Sequence, residues 1–532
     1  MFKVFTKYFL LLIFFSIASC AKRGTITGGK KDTIAPVLKS SLPKNNNVKF
    51  IGNKIILNFD EYVKLKNIDK QLIVSPPLKY KSEIFPSTPS KQITIKIKDT
   101  LQPNTTYSFN FGQSIEDNNE ANPYKQFKYV FSTGNYLDSL AIAGKIKDAL
   151  NQKEDHFVTV MLYEANNKLK DSAVYKEIPR YLTNTLDSLK FFKIDNIKPG
   201  KYKLLAIKDK NGNNKFDPRE DKIGFQKNYI TIPNDTVFQL ELFKEKLSFK
   251  ALKPKQISGN QILMPFEGDF NNIKVVLKNG ESILPTIVTK FEKKDSLQIW
   301  YKPVKSDTLK LLVTREKFLE NFKFKIKDQK KDTLNFIPSH TDEIDFRSTF
   351  SIRSSVPISK IDKSKIKLTR KDSTVVDFEP LYDEINQSLK INFKKEPSEK
   401  YVFFAFPGAI LDYLDRKSDT IKFKFTTQKT TDFGNLKVVL EKVNRFPVLV
   451  EILNSSGKII AKEFSEKNTS IEFNLIEPEK YTLRLIYDDN KNKEWDSGNY
   501  LQKIQAEEVI YFPKVIDVRA NWDVEQNFDL SK

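Results

Sequence analysis

The sequence predicts an all-β protein made of several β-sandwiches in tandem, and three observations lead to this fold class. The chain has 532 residues, too many for one hydrophobic core, so about three to five domains are expected. Its 42 Phe and 20 Tyr, together with many Ile and Val, favour strands. From residue 35 onward, short runs of alternating apolar and polar residues are separated by clusters of Pro, Asn, Asp and Gly.

The first nineteen residues are predicted to be a secretory signal peptide. Lys3 and Lys7 precede an apolar run at residues 8–18, which is too short to span a bilayer. Residues 17–20 read IASC and resemble the bacterial lipobox, in which small residues precede a cysteine that becomes lipidated. Cys20 is the only cysteine in the sequence. An ordinary secretory signal with a chance cysteine at its end is the alternative.

Residues 20–34 are predicted to be the lipidated Cys20 and a flexible tether rich in Gly, Thr and Lys. Ala21 follows the cysteine where bacterial lipoproteins of the inner membrane commonly have Asp, so this resemblance implies the outer membrane. No later stretch is predicted to be a transmembrane helix, and the lipid would be the only anchor. The sequence leaves open whether the protein faces the periplasm or the outside, and slightly favours the surface.

The formal net charge of +22 does not predict a nucleic-acid partner. Lysines alternate with apolar residues in ITIKIK (93–98) and FKFKIK (322–327), which places them on the solvated faces of strands. The sequence has no RNA-binding module that combines aromatic and basic residues, and the predicted export argues against nucleic acid as a partner.

Module 1 (residues 35–135) is the first predicted sandwich. It contains IILNFDEYV (55–63), LQPNTTYSF (101–109) and YVFSTG (129–134). This set of motifs resembles the bacterial Ig-like domain of surface-layer and envelope proteins, which implies a sandwich of about 100 residues.

Module 2 (residues 138–245) contains IKPGKYKLLAIKDKNGNNKFD at 197–217. A Pro-Gly turn starts a strand that ends in an acidic, Asn-rich loop. This pattern resembles the small transthyretin-like or carboxypeptidase-regulatory sandwiches.

Both modules recur further along the chain, as module 4 (residues 336–428) and module 5 (residues 433–532). Each repeat keeps its own spacing, which favours duplication over chance. Pro103, Tyr107 and Phe131 match Pro397, Tyr401 and Phe425 at an offset of 294, and Pro199, Tyr202 and Asp209 match Pro478, Tyr481 and Asp488 at an offset of 279.

Module 3 (residues 246–335) has the same alternating pattern without these motifs, so it is predicted to be a sandwich of uncertain type. The whole chain resembles the Ig-like-domain lipoproteins of Bacteroidota, and a rod or arc of five β domains is expected.

Two acidic loops are candidate calcium sites. Calcium prefers about six to eight oxygen ligands, which loops supply from alternate positions. The first acidic loop (209–217) offers Asp209, Asn211, Asn213, the carbonyl of Lys215 and Asp217, with Glu220 at position twelve. The second acidic loop (488–496) offers Asp488, Asn490, Asn492 and Asp496, with Asp489 and Glu494 as substitutes. The alternative is a pair of hairpins in which Asn and Asp side chains cap their own backbone without metal.

Catalytic arrangements are not predicted. His156 and His340 are the only histidines and fall in different modules. If Cys20 is lipidated, no cysteine nucleophile remains. The acidic pair Asp60 and Glu61 has no counterpart in module 4.

Trp495 is the one candidate ligand-binding aromatic, because it lies inside the second acidic loop between two charged residues. A loop aromatic can stack on a sugar or anchor a protein partner.

The leading functional hypothesis is a non-enzymatic, lipid-anchored outer-membrane protein. It would act as a scaffold or interaction arm in an envelope protein complex, such as one for outer-membrane protein assembly or secretion. The alternative is a surface glycan-binding or adhesion module, and an unrecognised hydrolase is a weaker third hypothesis.

Overall fold

A computed structural model of the protein describes residues 31–166, 169–186 and 190–531. The predicted signal peptide, Cys20 and most of the tether lie outside these residues. The described chain is nearly all β, as predicted. Its helices are single turns, Ile68–Gln71 and Ala173–Lys176, with 3-10 turns at Lys363–Lys365 and Thr430–Asp432. None of the helices in these ranges is long and apolar enough to cross a membrane.

Module 1 is a sandwich of two sheets. One has the order β1-β2-β5-β4, with β7 also paired to β2, and the other has the order β3-β6-β8. Alternation in β2 buries Ile55, Leu57 and Phe59 between the sheets. The strands of module 1 are β1 (Leu38–Leu42), β2 (Lys54–Leu65), β3 (Ile73–Ser75), β4 (Glu83–Phe85), β5 (Ser90–Lys96), β6 (Thr106–Asn110), β7 (Ile115–Asp117) and β8 (Lys128–Ser132).

Module 2 has a sheet ordered β11-β10-β13-β14, with β15 also on β13, and a second sheet ordered β12-β9-β16. The first and last strands, β9 and β16, pair in parallel. The strands of module 2 are β9 (Leu140–Asp148), β10 (Thr159–Glu164), β11 (Tyr181–Asn184), β12 (Phe191–Ile197), β13 (Gly200–Lys208), β14 (Lys222–Phe225), β15 (Ile230–Ile232) and β16 (Val237–Leu242).

Module 3 is an antiparallel sandwich with a different strand order. Its sheets run β17-β19-β23-β22, with β18 also on β19, and β21-β20-β24-β25. The strands of module 3 are β17 (Lys250–Ala251), β18 (Lys255–Ser258), β19 (Gln261–Glu267), β20 (Lys274–Asn279), β21 (Ser282–Leu284), β22 (Thr286–Phe291), β23 (Ser296–Tyr301), β24 (Thr308–Arg315) and β25 (Phe318–Lys325).

Module 4 repeats the topology of module 1. Its sheets run β26-β28-β32-β31 and β27-β35-β33-β30, with β29 paired to β34. The strands of module 4 are β26 (Phe336–Pro338), β27 (Glu343–Ile344), β28 (Phe350–Ser354), β29 (Ile358–Ile361), β30 (Ile366–Thr369), β31 (Glu379–Asp383), β32 (Ser388–Asn392), β33 (Lys400–Ala405), β34 (Ile410–Asp412) and β35 (Ile421–Thr427).

Module 5 repeats the topology of module 2. Its sheets run β38-β37-β40-β41, with β42 also on β40, and β39-β36-β43, and its first and last strands again pair in parallel. The strands of module 5 are β36 (Gly434–Glu441), β37 (Val448–Leu453), β38 (Ile459–Ser465), β39 (Ser470–Ile476), β40 (Lys480–Tyr487), β41 (Val509–Tyr511), β42 (Ile516–Asp517) and β43 (Asp523–Asp529).

The residues that revealed the repeats have the same structural role in both copies. In modules 1 and 4, a buried tyrosine hydroxyl accepts a backbone N–H five residues earlier. In modules 2 and 5, a buried tyrosine hydroxyl donates to a carbonyl four residues earlier. The pairs are Tyr107 with Gln102 (2.9 Å), Tyr401 with Glu396 (2.8 Å), Tyr202 with Lys198 (3.0 Å) and Tyr481 with Glu477 (2.6 Å).

Modules 2 to 5 form a closed arrangement, because module 5 packs against module 2. The rod or arc expected from the sequence is therefore wrong for modules 2 to 5. Apolar side chains from the loop after β40 cover the outer face of the module 2 sheet, and burial of these side chains favours closure. Successive modules are also joined, by Arg219 and Glu267 (3.5 Å), Lys302 and Asp415 (2.7 Å), and Arg347 and Glu463 (2.7 Å).

Candidate functional site

The first acidic loop connects β13 to β14 and is organised by Asp209. One carboxylate oxygen of Asp209 accepts the backbone N–H groups of Asn211 (3.1 Å) and Gly212 (2.7 Å). The other accepts the N–H of Asn214 (2.7 Å), whose φ is 56°. Asn tolerates this left-handed backbone, and the arrangement is an Asx-turn network.

Asp221 completes the first loop and was missed by the sequence reasoning. Its carboxylate is buried and accepts the N–H groups of Lys210 and Asp217, each at 2.9 Å, so it ties the two ends of the loop together. Burial raises the pKa of Asp221, and the nearby negative charges of Asp209 and Asp217 raise it further. The only sequence signal for this role is its position immediately before β14.

The second acidic loop has the same construction after β40. Asp488 is buried, and its carboxylate accepts the N–H groups of Asn492 (3.1 Å) and Lys493 (2.8 Å). Glu507 takes the place of Asp221, because its carboxylate accepts the N–H groups of Asp489 (2.8 Å) and Asp496 (2.9 Å). Burial raises the pKa of Glu507, and Asp496 and Asp488 add to this. Glu507 lies nineteen residues after Asp488, so the regular repeat spacing conceals it.

The remaining predicted ligands of the first loop also make local contacts. Asn213 accepts the N–H of Lys215 (2.8 Å), and Asp217 accepts that of Arg219 (3.0 Å). Glu220 pairs with Lys210 at 3.4 Å, and Asn211 is exposed.

In the second loop, the side-chain amides of Asn490 and Asn492 both donate to Asp496. Asp496 also pairs with Lys246, the residue directly after the end of module 2. Within residues 31–166, 169–186 and 190–531, no three His, Cys, Asp or Glu side chains form a metal-binding group. The geometry matches the hairpin alternative, and calcium stays a prediction.

Trp495 is the candidate ligand-binding aromatic of the second acidic loop. It is half-buried, and its ring N–H donates to the carbonyl of Glu507 at 3.1 Å. Phe216 occupies the same position of the module 2 repeat, where it is buried with its ring 5.6 Å from that of Tyr175. Trp495 also packs against apolar residues of module 2, and its role in binding stays untested.

The loop after Trp495 makes the contact between module 5 and module 2. Tyr500 is buried against Phe225, with ring centroids 5.3 Å apart, and the ammonium of Lys203 lies 5.6 Å from the Tyr500 ring. The N–H of Tyr500 donates to Glu245 at 2.5 Å. Burial raises the pKa of the Glu245 carboxyl. The junction therefore combines aromatic packing with a buried polar contact.

A buried ion pair of module 5 supports the same junction. Arg484 and Glu451 lie opposite each other on β40 and β37, 2.6 Å apart, with side chains 7% and 5% exposed. Arg484 also donates to the carbonyl of Leu150 in module 2 at 3.3 Å, and the hydroxyl of Tyr511 donates to the same carbonyl at 2.8 Å. The ion pair with Glu451 therefore holds the Arg484 guanidinium where it can donate to module 2.

The residues considered for catalysis lie apart. His156 is exposed in module 2, whereas the Nδ1 atom of His340 lies 2.8 Å from the Ser339 hydroxyl in module 4. Asp60 accepts the backbone N–H of Val37 at 2.8 Å, which fixes the start of module 1. The contact of Asp60 therefore has a structural role.

Residues 32–133 match the family model described as a bacterial Ig-like domain (Big_5). The match confirms the Ig-like prediction for module 1 and covers that module, not the whole chain. No curated protein matches the sequence.

Solved structures of multi-domain proteins align with much of the chain at low identity. The S-layer protein rSbsC is 11% identical, with 91% of this chain and 67% of that chain covered and a TM-score of 0.14. The Bacillus anthracis TIE protein is 12% identical, with coverages of 94% and 75% and a TM-score of 0.14. The major pilin subunit of Bacillus cereus is 11% identical, with coverages of 74% and 99% and a TM-score of 0.14.

Proposed function

We propose that the protein is a non-enzymatic scaffold, lipid-anchored at the outer membrane, that holds together components of an envelope protein complex. The proposed complex is one that assembles or secretes outer-membrane proteins. Two facts support the proposal: the chain is built from duplicated β-sandwiches, and His156, His340 and Asp60, which were considered for catalysis, lie in three different modules.

The closed contact between modules 2 and 5 is the observation that carries this proposal. A string of sandwiches with free junctions changes shape easily, because interfaces between domains of one chain are usually small and polar. Here Tyr500, Trp495 and Leu150 bury apolar surface between modules that are distant in sequence. A closed frame presents its outer surfaces in a fixed relative orientation, as a scaffold requires.

Lipidation of Cys20 is tested by its substitution. Cys20→Ala is expected to release the protein from the membrane fraction or to leave an unprocessed precursor. Ser19→Ala is the matched control, since a small residue before the cysteine is retained. A Cys20→Ala protein that is processed normally and still needs detergent would contradict the anchor. Protease treatment of intact cells then tells whether the protein is exposed at the surface.

The scaffold is tested by affinity purification after mild detergent extraction. Envelope proteins are expected to co-purify in fixed stoichiometry. Lys246→Glu with Lys503→Glu places like charges opposite Asp496 and Asp171 at the junction, and it should reduce this co-purification.

Lys310→Glu with Lys323→Glu is the control for this experiment, because both lysines are exposed on module 3. Isolation as a single chain without partners would contradict the scaffold. If the junction variant co-purifies with as much of the envelope proteins as the wild type does, closure of modules 2 and 5 is not needed for partner binding.

A further inference from the structure

A cleft of about 860 Å³ lies between module 1 and module 2. One wall is formed by residues 76–80, 99–100 and 102 of module 1, and the other by residues 163–164 and 177–180 of module 2. Ligand sites of proteins commonly lie between domains and have volumes of roughly 300–1,000 Å³. The cleft is therefore of the size and in the place expected for a binding site.

Hydrogen bonds join module 1 to module 2 at the cleft and next to it. Arg180 of module 2 donates to the Gln102 side chain and to the hydroxyl of Thr105 (3.4 Å) in module 1. The N–H of Leu182 donates to the Ser75 hydroxyl at 3.2 Å. These contacts fix the width of the cleft before any ligand arrives, which lowers the entropic cost of binding.

Apolar surface is exposed on both walls. On module 1, Tyr80 is 54% exposed, and its backbone N–H donates to the Asp99 carboxylate at 3.0 Å. On module 2, Ile178 is 44% exposed beside Pro179. An exposed aromatic ring with a fixed backbone provides a flat surface on which the C–H face of a sugar ring can pack.

The polar groups of the cleft include both donors and acceptors. Lys79 and Arg180 can only donate hydrogen bonds, whereas the carboxylates of Glu164, Glu177 and Asp99 can only accept them. A hydroxyl group does both, so a ligand with many hydroxyls can satisfy either kind of group. Cations and carboxylates interspersed in one cleft disfavour a polyanion and a polycation alike.

We propose that this cleft binds a neutral oligosaccharide, with Tyr80 as the stacking residue. The inference goes beyond the scaffold function and does not depend on it, because the cleft lies away from the junction of modules 2 and 5. The ligand-stacking role that the sequence suggested for Trp495 is assigned instead to Tyr80, because Trp495 is packed against its neighbours and Tyr80 is exposed.

The test is affinity electrophoresis of the detergent-solubilised full-length protein in gels that contain dextran, xylan or a mixed-linkage β-glucan. Gels with heparin and with a proline-rich peptide coupled to polyacrylamide are run in parallel. At least one neutral polysaccharide is expected to retard the protein. Tyr80→Ala is expected to raise the dissociation constant for that polysaccharide about tenfold, because a central aromatic contact is lost.

Tyr62→Ala is the matched control. Tyr62 is also in module 1 and 57% exposed, with the ammonium of Lys91 5.7 Å from its ring, and the corresponding Lys79–Tyr80 distance is 5.2 Å. The inference is overturned if none of the neutral polysaccharides retards the protein. It is also overturned if Tyr80→Ala and Tyr62→Ala have equal effects, or if only heparin or the peptide binds through Tyr80.

Discussion

At the scale of single residues, modules 2 and 5 differ at one buried cross-strand pair, which is charged in module 5 and apolar in module 2. Module 5 has Glu451 opposite Arg484, whereas module 2 has Met161 opposite Leu205 at the corresponding positions of β10 and β13. All four side chains are buried. The apolar pair shows that the fold does not need the charges, and the contact of Arg484 with Leu150 gives the charged pair its role at the junction.

Arg484→Leu is expected to destabilise the protein by about 3–5 kcal/mol, because it leaves the Glu451 carboxylate buried without a partner. The double variant Glu451→Met with Arg484→Leu restores the pair found in module 2, and it should recover most of the loss. Urea unfolding of both variants measures this. A double variant as unstable as the single one would contradict the account.

Glu245 gives a prediction for pH dependence. Burial raises its pKa above the usual 4.5. Its contribution to stability is therefore fully present below the unfolded-state pKa and is lost as the pH rises through the folded-state value. Glu245→Gln keeps an oxygen that can accept the N–H of Tyr500 and cannot titrate.

The free energy of unfolding of the wild type, relative to Glu245→Gln, is expected to rise as the pH falls from 7 toward 4.5. Thermal unfolding of both proteins at several pH values measures this difference. A difference that stays constant, or that falls with the pH, would contradict a buried carboxyl at the junction.

Equivalent residues of the two loops were predictable from the repeated spacing, whereas their predicted role as calcium ligands stays a prediction. Asp209 and Asp488 were identified by the shared offset, and each organises its loop. Asp221 and Glu507 escaped because they lie at different distances from the loop starts. Trp495 was a ligand-binding candidate because its neighbours in sequence are charged, and nothing in the sequence indicated its hydrogen bond to the carbonyl of Glu507.

At the scale of elements, the acidic loops carry the calcium prediction. The buried acids Asp221 and Glu507 each lie near two other carboxylates, and their repulsion would fall if a cation bound. Calcium is then expected to raise the melting temperature of the full-length protein relative to chelator. Asp209→Ala with Asp488→Ala should remove the difference. Equal melting temperatures across millimolar calcium would establish the loops as metal-free turns.

Most strands could be predicted from the alternation of apolar and polar residues. In β2 and β36, for example, every second side chain is buried over most of the strand. Alternation alone could not predict the parallel pairing of β9 with β16 and of β36 with β43. These pairs join the first and last strands of each module, and hydrophobic pattern specifies which face is buried but not which strand is the neighbour.

At the scale of the whole molecule, duplication predicted the modules but not their closure. The contacts at the junction link residues that are hundreds of positions apart, such as Leu150 and Tyr511. These contacts are made by individual side chains in the loop after β40. The corresponding loop of module 2 is shorter, so aligning the two repeats does not identify these side chains.

Closure of modules 2 and 5 is the central claim, and zero-length carbodiimide cross-linking of the full-length protein tests it most directly. The reagent joins amines to carboxylates in direct contact, and mass spectrometry identifies the products. Links of Lys246 to Asp496 and of Lys503 to Asp171 are predicted within single chains, along with the control link of Lys222 to Asp155 inside module 2. Formation of the control link without either junction link would show that the chain is open and would contradict the account.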